Sequence, residues 1–186
     1  HALSSNQKMI DEIARNPKAR GRIIPALAVS GLMQYERNGI QTLKRQMITG
    51  ETRALRFVNV SKRLTLCQLE PVIWGIAGLK PFIIMRHDES NIQDILEFTS
   101  LFPEIPVVLT EVMWVHCIAV FDLMRRKENI LVDNSLLHSY GAVEQVVEHF
   151  GAERLLFGTG CKSHGGAAIA QLARADITEN ERQLRS

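Results

Sequence analysis

The sequence has no dense run of basic residues. Lys and Arg number 22 against 20 Asp and Glu, a formal charge of +2, so the electrostatic footprint of a nucleic-acid binder is missing. Cysteine is scarce and odd in number: Cys67, Cys117 and Cys161 stand far apart. That argues against a disulfide framework and for a reducing, cytoplasmic setting. No apolar run reaches the roughly 18–20 residues that a membrane-spanning helix needs. The opening residues, His1-Ala2-Leu3-Ser4-Ser5, lack the basic and apolar regions of a signal peptide, and they lack an initiator Met. A processed, trimmed or incomplete chain is expected from that. Linkers and low-complexity tracts are missing too, so residues 1–186 read as a single domain.

Glycine spacing excludes a further class. Residues 158–166 read G-T-G-C-K-S-H-G-G. The phosphate-binding pattern G-x-x-x-x-G-K-[ST] requires glycine where Cys161 and Leu156 stand. The dinucleotide pattern requires a third glycine where Ser163 stands, and an early strand rather than a late one. Amides ahead of Gly165-Gly166 could still hold an anion. Cys161 and His164 have zinc-type spacing but no second pair to complete a site.

What the sequence does contain is a regular rhythm. Short apolar runs at 21–29, 52–59, 81–86, 106–111, 129–134 and 154–159 read as strands. Between and around them, periodic segments at 5–16, 36–49, 66–78, 90–102, 114–126, 139–150, 166–175 and 178–185 read as helices. Their punctuation fits: Asn16-Pro17, Gly50 and Gly151 as stops, Pro71 in a first turn, Ser90 as a cap, and Thr178 with Glu181 as a capping box. Strands apolar along their length, alternating with helices, predict an α/β fold with a parallel sheet covered on both faces. Pattern alone leaves two architectures open, a doubly wound sheet and a (β/α)₈ barrel.

Several stretches resemble one family in order and spacing. They are His1 and Asn6, then DEIARNPKARGRIIPAL, GETRALRF, KPFIIM, FPEIPVVLTE and NILVDNS, and above all HFGAERLLFGTG followed by GGAAIAQLARADITENER. Together they resemble the amidohydrolase-related branch of the metal-dependent hydrolase superfamily, over nearly the whole chain. The resemblance implies a (β/α)₈ TIM barrel and a hydrolase or decarboxylase acting on small carboxylated or carbonyl substrates. It implies that the six strand–helix units are the third to the eighth, the first strand with its His-x-His pair lying outside the sequence. It also implies a divalent cation at the C-terminal mouth of the barrel.

The positions where the resemblance places ligands are changed. Met85, or Arg86 after a shift, stands for the fifth-strand histidine. Glu111 stands for the sixth-strand histidine, and Gly160 for the eighth-strand aspartate. A thioether is a poor ligand for a borderline divalent ion, whereas a carboxylate is a good one. The metal site is therefore either lost or rebuilt. A rebuilt site would hold one divalent ion, zinc or manganese, on His87, Glu111 and His164. Otherwise His87-Asp88-Glu89 is a solvated loop and no cofactor is held.

Glu111 is the expected catalytic residue. Arg56, Arg86 and Trp114 are the expected substrate-binding residues, since arginine forks match carboxylates, although Glu111 could instead simply pair with either arginine. Trp114 is expected to pack the mouth, His116 to be surface or core, and Asp133 to hydrogen-bond neighbouring loop amides. The second function that stays open is a non-catalytic, small-anion-binding barrel. The partners expected are a small molecule and further copies of the chain, with neither nucleic acid nor membrane.

Overall fold

The computed structural model describes residues 2–59, 61–160 and 164–182. The chain divides into two compact units, His1–Ile84 with Glu89–Phe98, and Met85–Asp88 with Thr99–Ser186. Each is built from parallel strands alternating with helices.

In the first unit, α1 (Ala2–Arg15), β1 (Leu27–Val29), α2 (Gly39–Thr49), β2 (Ala54–Phe57), α3 (Glu70–Ile76) and the Phe82–Ile84 part of β3 (Phe82–Arg86) follow one another. Strand β2 lies between the other two: Leu27 pairs with Leu55 and Val29 with Phe57, while Leu55 pairs with Ile83. Leu27, Leu55 and Ile83 have no exposed surface, as expected for strands covered on both faces. Buried Asn6 ties α1 to β1. Its amide donates to the Ala28 carbonyl at 2.9 Å and its carbonyl accepts the Ala28 N–H at 2.8 Å.

In the second unit, β4 (Val107–Thr110), α5 (Cys117–Arg126), β5 (Ile130–Asp133), α6 (Ala142–Phe150), β6 (Leu155–Leu156), α7 (Gly165–Arg174) and α8 (Glu179–Arg182) repeat the alternation. Helix α4 (Ile92–Leu101) follows β3 and precedes β4 in the chain. Strand β5 is central here, pairing Leu109 with Val132 and Val132 with Leu155. At the base, the Arg154 guanidinium donates to the carbonyls of Lys127 and Ile130. In both units spatial neighbours are sequence neighbours. A doubly wound sheet reverses strand order at a switch point, so sequential order favours the barrel.

The strands are shorter than the apolar runs suggest. Residues 17–22 curl into turns, with the N–H groups of Arg22 and Ile23 donating to the Ala19 carbonyl. Pro25 has no N–H for a ladder, so only 27–29 pair. Residues 66–78 split into a 3-10 turn, α3 and a second 3-10 turn. The cap of α4 is Asn91 rather than Ser90: the Asn91 side chain accepts the Asp94 N–H at 2.9 Å. Gly50 and Gly151 end α2 and α6 as expected. Thr178 and Glu181 form the capping box, the Thr178 N–H and hydroxyl donating to the Glu181 carboxylate at 2.8 and 2.7 Å. Among the described residues, no helix is long and apolar enough to cross a membrane.

Candidate active site

The chemistry-bearing residues of the second unit gather at the C-terminal ends of its strands, the face where barrel enzymes place their sites. Met85, at the metal position implied by the resemblance, points into the core with no exposed surface. The next residue along a strand faces the other way. Arg86 is accordingly part exposed, its Nε 3.6 Å from a Glu111 carboxylate oxygen and 3.2 Å from Asp88. The Arg86 and Glu111 side chains keep 44% and 38% of their surface exposed, leaving both within reach of a ligand.

Glu111 follows β4 in the left-handed conformation, φ 56°, which costs a non-glycine residue about 1–2 kcal/mol. Strained backbone persists where its surroundings hold it. Here the Glu111 N–H donates to Asp133 Oδ1 and Ser135 Oγ, each at 3.3 Å. Asp133 Oδ1 also accepts from the Ser135 hydroxyl at 2.7 Å and the Ser135 N–H at 3.3 Å. Burial raises the Asp133 carboxyl above its ordinary range, with the Ser135 and Glu111 hydrogen bonds opposing it. The other Asp133 oxygen abuts Gly158, where an added Cβ would fall 2.3 Å away. Asn134 completes the brace, its carbonyl accepting the Gly158 N–H at 3.0 Å and its amide donating to Ala168 at 2.9 Å.

Gly160, standing where the resemblance expects an aspartate, has φ 58°. A Cβ there would lie 3.2 Å from the Ser135 Cβ. The backbone itself therefore disfavours the missing acid.

The other anticipated residues lie apart from this pair. Arg56, in the first unit, forks onto Glu89 at 2.6 and 3.1 Å. Glu89 is buried and further held by Asn59, so the 87–89 segment is not a solvated loop. Both ring nitrogens of His87 are buried as well, with the ring 4.4 Å from that of His116. His164 sits beside His138, the ring centroids 6.1 Å apart, while Cys161 falls outside the described residues. Trp114 does not pack the mouth but is 70% exposed in the turn before α5. A cavity of about 340 Å³ lined by His138, Tyr140, Glu144, Gln171 and Arg174 shares no residue with the Arg86–Glu111 pair.

Among the described residues, no three His, Cys, Asp or Glu side chains are placed to hold a metal ion. His87, Glu111 and His164 do not form such a group. The donor set at the implied positions is a core thioether, a carboxylate paired with arginine, and a glycine. That set does not fit a resident divalent ion.

No protein-family model and no curated protein matches the sequence. Solved structures do. Similar folds occur in 2,6-dihydroxybenzoate decarboxylase from Rhizobium, with a TM-score of 0.70 and 14% identity over 97% of this chain and 72% of that one. The 5-carboxyvanillate decarboxylase of Novosphingobium aromaticivorans, solved with bound manganese, gives 0.71 and 11% over 98% and 67%. A TIM-barrel protein of Bordetella bronchiseptica gives 0.69 and 14% over 95% and 66%. The fold is thus of the (β/α)₈ barrel type, with six strand–helix units in this chain. It is the type of fold that the sequence resemblance implied.

Proposed function

We propose that this chain acts on a small carboxylated compound, of the hydroxybenzoate kind, at the C-terminal ends of β3 and β4. The reading is carried by the Arg86–Glu111 pair: a part-exposed guanidinium beside a part-exposed carboxylate at a strand-end site. Arg86 takes the ligand carboxylate through charge-assisted hydrogen bonds. Glu111, displaced from Arg86 by that carboxylate, serves as the proton-transfer group. Exposed Trp114 offers a ring face to an aromatic ligand. The similar decarboxylases supply the reaction type: the bond from ring carbon to carboxylate breaks, carbon dioxide leaves, and the ring carbon takes up a proton.

A second reading, an anion-binding barrel without turnover, is favoured by Met85 and Gly160 at the implied ligand positions. Calorimetry with hydroxybenzoates, together with assay of carbon dioxide release, separates the two. Binding with release supports the enzyme, and binding without release supports the binder. Arg86→Met should abolish binding in either case, and unchanged affinity in that variant would overturn both.

A further inference from the structure

We infer that His87 and His116 form a two-imidazole site for a borderline divalent transition cation such as Zn²⁺. Water or ligand oxygens would fill its remaining positions. This site is separate from the Arg86–Glu111 pair and does not depend on the carboxylate reading.

The first observation is proximity across the fold. His87 lies in the loop after β3, its backbone N–H donating to the Thr110 carbonyl at 3.2 Å. His116 closes the 3-10 turn Trp114–His116 that opens α5. The two rings nevertheless meet at 4.4 Å with a 46° tilt.

The second observation is hydrogen bonding. Both ring nitrogens of His87 and Nδ1 of His116 are buried and make no hydrogen bond. Buried polar atoms are nearly always satisfied, and an orphan of this kind calls for a bound water or ion. A neutral imidazole offers one lone pair for a metal and one N–H for an acceptor. Neutral imidazole is the form that ligates.

The donor type selects the cation. Two imidazoles suit Zn²⁺, Ni²⁺ or Cu²⁺ and suit Mg²⁺ poorly. With no third His, Cys, Asp or Glu of the described residues completing the group, the site is open and its ion exchangeable. Both residues are only half-buried, which gives an ion access.

The test uses the full chain, stripped with a chelator and titrated with zinc chloride against a chromophoric chelator. One Zn²⁺ per chain is expected, unaffected by excess Mg²⁺. His87→Gln and His116→Gln should each weaken binding by about tenfold or more, whereas His138→Gln should leave it unchanged. Absence of stoichiometric binding, or a loss that follows His138 instead, would overturn the inference. A readout without substitution guards against misfolded variants. Nitrogen–proton NMR of the unmodified chain should show Zn²⁺ shifting two of its six histidine rings, and no ring shift would equally overturn it.

Discussion

Asp133 Oδ1 accepts the backbone N–H of Glu111 at 3.3 Å. Through that bond the end of β5 holds the left-handed turn at the end of β4, and so sets where the Glu111 carboxylate points. The same aspartate is crowded from its other side by Gly158. The buried Asp133 carboxylate thereby locks the turn after β4 and lies against Gly158, after β6.

Gly158→Ala tests the lock. The new Cβ would fall 2.3 Å from Asp133 Oδ2, so Asp133 must shift and its bonds to Glu111 and Ser135 must lengthen. A loss of about 1–3 kcal/mol is expected from such overpacking. Chemical denaturation measures it, and a midpoint equal to wild type would mean that the contact is relieved freely.

Glu111→Gly separates stability from binding. Glycine relieves about 1–2 kcal/mol of left-handed strain and adds about 0.5–1 kcal/mol of backbone entropy cost. The lost Arg86 pair is part exposed and worth at most about 1 kcal/mol. Folding stability should therefore stay within about 1 kcal/mol of wild type. Turnover of a carboxylated aromatic should vanish. Retained turnover would remove Glu111 from the chemistry.

Asp133→Asn gives a pH signature. The folded Asp133 carboxyl is raised above its ordinary 3.8, so the native state holds that proton more tightly than the unfolded chain. Stability is consequently lost as pH rises from about 3.8 through the folded value. Asparagine keeps an acceptor for Glu111 and Ser135 and removes the buried charge. Its melting temperature relative to wild type should climb across that window and level off above it. A pH-independent difference would show that burial of the charge is not the cause.

His87 acts in the opposite sense. Burial, then His116, lower it from its ordinary 6.5, so the unfolded chain binds this proton more tightly. Its contribution is complete above about 6.5 and is lost as pH falls from there through the folded value. His87→Gln should flatten the acid side of the stability profile, and an unchanged slope between wild type and variant would contradict the geometry.

Much of the fold was legible locally. The helices at 36–49 and 139–150 declared their ends through Gly50 and Gly151, and Thr178 with Glu181 announced a capping box, because those bonds join near neighbours in the chain. Asn6 and Asp133 also stand out in the sequence. The role of Asp133 as an acceptor of loop amides was expected, but its hold on the Glu111 backbone 22 residues away was not. The sequence pattern marks Glu89 only as a loop residue. Nothing near it in sequence marks Arg56, 33 residues earlier, as its partner.

The sequence by itself determined the alternation of short apolar strands with amphipathic helices, and with it the parallel α/β architecture, since period and punctuation are local properties. Tertiary structure decided which side chains face the mouth. Along a strand, one residue of offset exchanges core for surface, which is how Met85 became core and Arg86 an exposed group beside Glu111. It also decided the left-handed turn at Glu111 and the meeting of His87 with His116, because both depend on contacts between separate strand ends that no local pattern encodes.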